Sequence, residues 1–215
     1  MIDTDPFSDS LVFVVDDDDS VRRALARLIR AAGYQVEAFG CAYAFLERLR
    51  EVTSPACLVL DVQLPDLDGL ELQRELHAEL PIIFITGHGD IAMTVGAMKA
   101  GAADFLAKPV NDTDLLHALE TAFERVAQTR AMRCELDAIR GRLDRLTPRE
   151  REVMALVVTG RLNKQVAGEL GTVEKTIKAH RARVMAKMEV TSLAQLVRVA
   201  DKVGIGGAGE MHVSG

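Results

Sequence analysis

Between residues 11 and 110, short apolar runs alternate with segments of helical spacing. Leu11–Val15, Gln35–Phe39, Cys57–Leu60, Ile82–Ile85 and Asp104–Leu106 read as strands, and Val21–Ala31 shows the helical recurrence that follows the first of them. Apolar strands alternating with helices predict a parallel sheet covered on both faces. The pattern changes at Asp112. From there to Leu146 the chain has no Pro and a single Gly, Gly141, which predicts nearly continuous helix. Leu116, Leu119, Phe123 and Val126 form one apolar stripe, and Met132, Leu136, Ile139, Leu143 and Leu146 form a second, with a break in phase between them. The first stripe is expected to close the sheet domain. The second predicts an exposed linker with a coiled-coil-like seam, too short to dimerise strongly alone.

Thr147-Pro148 restarts structure, with an N-cap followed by Pro at the first helical position. Helices are expected at Pro148–Val158, Asn163–Leu170, Glu174–Lys187 and Ser192–Val203. The resulting organisation is a disordered segment 1–10, an α/β domain 11–130, a helical linker 131–146, an all-α domain 147–205 and a disordered, Gly-rich tail 206–215.

Composition sharpens this picture. Of 215 residues 48% are hydrophobic, enough for real cores. No apolar run reaches the roughly 18 residues that span a bilayer. The acidic start lacks the basic and apolar character of a signal sequence. Cys41, Cys57 and Cys134 are too scattered for a metal site or a disulfide framework. These features predict a cytoplasmic protein without a membrane partner. The net charge of −6 is unevenly placed: Thr147–Ile205 carries 11 Lys and Arg against 6 Asp and Glu. A basic C-terminal unit can meet phosphates while the acidic remainder does something else.

Candidate chemistry sits where strands end. The first runs into Asp16-Asp17-Asp18-Asp19, the third ends at Asp61, the fourth at Thr86, and the fifth runs into Lys108-Pro109. Ligands of open parallel sheets bind outside the carboxyl ends of the strands. A strand order of 2-1-3-4-5 sets strands one and three side by side, so that Asp16, Asp17 and Asp61 converge. Two carboxylates about 4 Å apart repel by roughly 4 kcal/mol at an effective dielectric near 20. A hard divalent cation removes that cost, and Mg2+ suits carboxylates, water and a phosphoryl oxygen. Lys108 would neutralise remaining charge, Thr86 would hydrogen-bond an added phosphoryl group, and an aspartate here can be a nucleophile toward phosphorus. An acidic run after a strand can also be a solvated loop or a cap, and Asp19 or Ser20 is expected to cap the next helix.

Together Val14-Val15-Asp16-Asp17, Leu58-Val59-Leu60-Asp61, Leu64-Pro65-Asp66-Leu67-Asp68-Gly69, Phe84-Ile85-Thr86-Gly87, Lys99-Ala100-Gly101-Ala102 and Phe105-Leu106-Ala107-Lys108-Pro109 resemble the CheY-type receiver signature over about residues 11–126. The resemblance implies a CheY-like, five-fold βα, doubly wound α/β fold. It implies Asp61 as phosphoacceptor and Mg2+ held by Asp16, Asp17, Asp61 and the backbone carbonyl of Gln63. Thr86 and Phe105 would be the switch pair and Lys108 the phosphoryl-contacting lysine. The small Gly87 leaves room for a phosphodonor. Phe105 taken alone reads as core. His77, His88 and His117 are isolated and fit surface or loop roles. Cys57 reads as inert core and Gly69 as a turn residue.

In the C-terminal domain, Asn163–Leu170, the turn Gly171-Thr172-Val173 and Glu174–Lys187 have helix-turn-helix spacing. Val173, Ile177, Val184 and Met188 are expected to pack inward, leaving Lys175, Lys178, Ala179, Ala182 and Ala186 on the opposite face. Basic residues among alanines suit a major-groove helix. A small bundle with a solvated lysine face would look the same by pattern. Leu146-Thr147-Pro148-Arg149-Glu150, Asn163-Lys164, Val166-Ala167 and Thr176-Ile177-Lys178-Ala179-His180 resemble the LuxR/FixJ type of DNA-binding domain. That resemblance implies that Lys178 and Ala179 face bases, with Ala182 beside them, and that Lys164 and Lys175 anchor the DNA backbone. By helix count Arg181 is a flanking phosphate contact and His180 is structural. The two resemblances together describe a two-component response regulator. Its implied partners are a sensor histidine kinase, double-stranded promoter DNA, RNA polymerase and, once phosphorylated, a second copy of itself.

Two other functions compete. A haloacid-dehalogenase-like phosphohydrolase also has an apolar strand followed by Asp-x-Asp, which Asp16-Asp17-Asp18 satisfies. It needs a further acidic motif after a strand beyond the lysine, whereas Asn111-Asp112-Thr113-Asp114 opens a helix, and it leaves Asp61 unexplained. The other is an interaction protein whose receiver is a fold only.

Overall fold

The computed structural model describes residues 10–52, 54–76, 80–87 and 91–205, without the side chains of 91 and 92. The expected disorder of 1–9 and 206–215, and the roles expected of His77 and His88, lie outside them. The chain divides into two compact units, Met1–Thr129 and Arg130–Gly215.

In the first unit β1 (Leu11–Val15), β2 (Gln35–Phe39), β3 (Ala56–Asp61), β4 (Ile82–Thr86) and β5 (Asp104–Ala107) pair in parallel in the order β2-β1-β3-β4-β5. β1, β3 and β4 are buried along their whole length, while β2 and β5 are partly exposed, as edges are. Alternate side chains of the central strands feed two cores. Phe13, Val15, Leu58, Leu60 and Phe84 meet the side that holds Phe45 of α2 (Ala42–Leu49), Leu72 of α3 (Gly69–Glu75) and Ala97 of α4 (Ile91–Lys99). Val12, Val14, Val59, Ile83 and Ile85 meet Leu25 and Ile29 of α1 (Asp19–Ala31) and Leu115, Leu119 and Phe123 of α5 (Asp112–Asp144). This is the period of two expected of strands covered on both faces.

Several expectations need correction. Ser10, assigned to a disordered end, is buried, and its carbonyl accepts from Gln35 N at 3.1 Å. The helix cap after β1 is Asp18, whose carboxylate accepts from Ser20 N and Val21 N. On α5 the deepest stripe is Leu115, Ala118, Leu119, Ala122 and Phe123, with Leu116 only half-buried. Gly69 provides close approach rather than a bare turn: a Cβ there would sit 2.9 Å from the carbonyl oxygen of Asp61 and 3.0 Å from Cα of Val62.

The second unit comprises the end of α5 and four further helices: α6 (Pro148–Val158), α7 (Asn163–Glu169), α8 (Glu174–Lys187) and α9 (Leu193–Lys202). α6 begins with a reciprocal capping box between Thr147 and Glu150. The exposed seam expected for 131–146 holds only at its start. Met132 is 63% exposed and Leu136 half-buried, but Ile139 and Leu146 are buried in the core of this unit, against which Leu143 also packs. The physical reason is that Ile139, Leu143 and Leu146 meet the apolar faces of the four short helices, which cannot close a core alone. Val173 was expected to pack inward and is 65% exposed, because it is the N-cap of α8 and precedes the helical phase.

Candidate functional site: an acidic pocket and a basic helix

β1 and β3 are neighbours and end together, which carries Asp16 and Asp61 to one end of the sheet. One carboxylate oxygen from each of Asp16, Asp17 and Asp61 lies within 4.8 Å of the other two. Asp16 is fully buried, Asp61 nearly so, and Asp17 is exposed. Lys108 reaches in from the end of β5, and its Nζ donates to Asp16 Oδ2 at 2.8 Å and to Asp61 Oδ2 at 2.6 Å. The second oxygens accept from the backbone, Asp16 Oδ1 from Asp18 N at 2.9 Å and Asp61 Oδ1 from Gln63 N at 3.2 Å. Thr86 is buried at the end of β4, and its carbonyl accepts from Lys108 N at 2.7 Å. Phe105 is half-buried, with its ring 6.1 Å from that of Phe84. Gln63 is exposed beside Asp61.

The electrostatics follow from this geometry. Burial is the largest influence on Asp16 and raises its pKa, against the lowering effect of Lys108. Burial pulls the Lys108 ammonium down, but its hydrogen bonds to Asp16 and Asp61 and their charges outweigh that, and its pKa is raised. The hydrogen bonds from Val21 N and Ser20 N hold the Asp18 carboxyl low. Burial pushes the Cys57 thiol up to about 12, which makes it an inert core group. A set of hard carboxylate oxygens beside one ammonium fits a hard cation such as Mg2+.

Sequence reasoning missed three residues around the pocket. Asp18 caps α1. Arg22 donates to the backbone carbonyls of Asp16 and Asp17. Asp66 caps α2 from a distance, its carboxylate accepting from Ala42 N at 3.2 Å and Tyr43 N at 3.0 Å, where the helix's own N-cap, Cys41, makes no side-chain bond. The Arg22 contact has a partial signal in sequence, since Asp19 and Arg22 stand three apart at a helix start. The Asp66 contact joins residues 24 and 23 positions apart and has none.

In the second unit α7 and α8 form the helix-turn-helix. Lys164, Lys175, Lys178, Ala179, Ala182 and Ala186 are exposed, while Ile177, Val184 and Met188 are buried. Lys178 pairs with Glu174 at 3.1 Å. Arg181 is half-buried, and its Nη1 donates to Asn163 Oδ1 at 3.2 Å, bracing α8 against α7. Arg183, four residues after Ala179, is exposed at the edge of the basic face and was overlooked. His180 is half-buried, with Nδ1 shut away from solvent and from any hydrogen-bond partner. His117 is exposed, as expected.

An acidic pocket at the strand ends of a doubly wound sheet, joined in one chain to a helix-turn-helix unit, defines a two-domain regulator as a class. Residues 12–120 match the family model of the response regulator receiver domain, and residues 144–200 match that of bacterial regulatory proteins of the luxR family. Nodulation protein W of Bradyrhizobium diazoefficiens is 50% identical over 206 residues, covering 94% of this chain and 90% of that protein. Transcriptional regulatory protein FixJ of Rhizobium meliloti is 43% identical over 202 residues, covering 93% and 98%. The solved structure of response regulator StyR is 48% identical, covers 90% of this chain and 99% of its own, and superposes with a TM-score of 0.79. The chain belongs to the response regulators that carry a receiver domain and a luxR-family DNA-binding domain. FixJ and StyR are named as regulators rather than enzymes. Among the described residues, no helix is long and apolar enough to cross a membrane.

Proposed function

We propose that this chain takes a phosphoryl group from a sensor histidine kinase onto Asp61, dimerises, and binds promoter DNA through α8. The observation that carries the reading is the pair of hydrogen bonds that Lys108 Nζ donates to Asp16 and Asp61. It holds a candidate nucleophile and its acidic neighbour together at the open end of the sheet. A carboxylate oxygen of Asp61 attacks phosphorus, the P–N bond of the donor's phosphohistidine breaks, and the released imidazole keeps the electron pair and takes a proton. The product on Asp61 is an acyl phosphate. Asp16, Asp17, Asp61 and the Gln63 carbonyl would hold Mg2+, which supplies charge neutralisation for the phosphoryl oxygens. Lys108 and Thr86 would then contact the phosphoryl group. Phe105 would follow Thr86 inward, remodelling the face formed by α4 and β5 toward dimerisation. An apolar groove of about 580 Å³ runs beside Lys108 between Val21, Ala24 and Leu28 of α1 and Pro109 and Val110.

In the second unit Lys178, Ala179 and Ala182 would read bases, and Lys164, Lys175 and Arg181 would meet phosphates. Arg181 is the most restricted of these because of its bond to Asn163. The domain limits that accompany this reading are 11–130 for the receiver and 147–205 for the DNA-binding domain, with 131–146 between them supplying Ile139, Leu143 and Leu146 to the core of the second.

The haloacid-dehalogenase-like alternative requires Asp16 as nucleophile. Both carboxylates have both oxygens bonded, but Asp16 is fully buried, whereas the Asp61 side chain keeps 9% of its surface open. Acetyl phosphate with Mg2+ is expected to add one phosphoryl group to the chain, and Asp61→Asn to abolish it. Persistent labelling of that variant would reject the assignment.

A further inference from the structure

The proposed chemistry needs Asp16 and Asp17 to stand in fixed positions at the end of β1, and a side chain outside the carboxylate set holds their backbone. Arg22, on the first turn of α1, donates from Nη1 to the carbonyl of Asp16 at 2.7 Å and to that of Asp17 at 3.3 Å. Its Nη2 donates to Asp19 Oδ1 at 2.5 Å. The side chain is 19% exposed and lies against Gly40, where a Cβ would come within 3.4 Å of Nη1. A planar guanidinium can serve carbonyls and a carboxylate at once in a fixed fork, which an ammonium cannot.

We infer that Arg22 is a positioning residue for a divalent cation: it fixes the peptide groups of Asp16 and Asp17 so that their carboxylates meet Asp61. This rests on reading the three carboxylates as the Mg2+ site. Two effects oppose each other. As a positive charge, Arg22 repels a cation. As an anchor, it spares the cation the work of ordering its own ligands. Its pairing with Asp19 offsets part of the first effect, since Arg23 shares that carboxylate. The bonds to the two carbonyls leave the second intact. The anchor therefore wins, and the sign of the change on removing Arg22 tells the two apart.

The test titrates the full chain with Mn2+ and follows the free ion by electron paramagnetic resonance. Asp17→Asn serves as the control, and thermal unfolding is run alongside. Arg22→Ala is expected to weaken Mn2+ binding about tenfold, within the range that loss of an outer-shell partner of a metal site produces. It should do so although every proposed ligand remains and one positive charge has gone. Unchanged or tighter binding in Arg22→Ala, with binding lost in Asp17→Asn, overturns the proposal. If Asp17→Asn binds as the wild type does, the cation site itself is wrong and the inference falls with it. Should Arg22→Ala fail to fold, Arg22→Lys carries the test, since it keeps the charge and loses the fork. Weaker Mn2+ binding in that variant supports the anchor, and wild-type affinity overturns it.

Discussion

Asp16, Asp17, Asp18 and Asp19 share one side chain and have four different surroundings. Asp16 is buried on Lys108, Asp17 is exposed beside it, Asp18 caps α1, and Asp19 pairs with Arg22 and Arg23. The run was legible in the sequence as one acidic site, because strand ends can be counted from apolar runs. How the run divides was not, because the cap depends on which residue enters the helix first, a matter of one position. The same limit applies to Asp66, whose partners are set by how α2 lies against the loop after β3. Lys108 makes the sharpest prediction at this scale. It neutralises Asp16 and Asp61, so Lys108→Met leaves carboxylates that only a cation can compensate. A unit charge about 4 Å away interacts by up to about 4 kcal/mol at an effective dielectric near 20, before solvent screening. Mn2+ binding should therefore tighten about tenfold in Lys108→Met, while labelling by acetyl phosphate slows. Weaker metal binding would show that Lys108 orders the pocket more than it neutralises it. The opposite signs expected for Lys108→Met and Arg22→Ala separate compensation of charge from placement of ligands.

Whereas α2, α3 and α4 were expected only as helical stretches without bounds, the five strands, α1 and α5 to α9 were legible to within a few residues, since strand and helix periods are local. What a helix packs against was less so, and α5 is the instructive case. Its second stripe has coiled-coil spacing, and spacing alone does not distinguish a seam waiting for a second copy from a stripe covered by its own chain. Ile139 and Leu146 are covered by their own chain. Ile139→Ala should cost the second unit about 2–5 kcal/mol, whereas Met132→Ser should stay within about 0.5 kcal/mol. Amide hydrogen exchange across α6–α9 of the full chain checks both, and equal protection in the two variants would refute the packing argument. The start of α6 depends on charge as well. Glu150 accepts from Thr147 N at 2.9 Å and from Lys187 Nζ at 2.6 Å, which ties the first turn of α6 to the end of α8. The Lys187 bond, then the Thr147 amide, lower its pKa from 4.5 to about 2. A carboxyl depressed in the folded state contributes stability that is fully present above its unfolded value and is lost as pH falls through its folded one. The deficit in melting temperature of Glu150→Gln should accordingly be full above about pH 5 and shrink between pH 4.5 and about 2. A deficit independent of pH would mean that shape, rather than charge, sets the contribution of Glu150.

Across the whole molecule the two signs of charge are segregated, with 11 Lys and Arg against 6 Asp and Glu in residues 147–205 of a chain whose net charge is −6. The acidic part suits the cation and the phosphoryl group of the proposed function. The basic part accounts for a polyanion, and the net value, taken alone, would have hidden both. That asymmetry separates roles by region, yet it does not say which lysines read sequence. Burial helps, because Lys178 stands opposite the buried Ile177 and Val184, so Lys178→Ala should leave the second unit folded. If Lys178 meets a base edge, its loss should cost about 1–3 kcal/mol on a specific duplex and relax preference at that position. If it meets only phosphate, affinity should fall about equally on all sequences and the salt slope should shrink by about one unit. The base-edge outcome is expected, because the exposed Ala179 and Ala182 beside Lys178 let α8 sit deep in a groove, and because Glu174, which now holds the lysine, is exposed and can release it. An exposed pair of this kind contributes about 0.3–0.5 kcal/mol, well below what a base contact returns. Binding of the phosphorylated chain to specific and random duplexes across a salt series distinguishes the two cases. Unaltered binding on both duplexes would mean that the basic face of α8 is not the face that meets DNA.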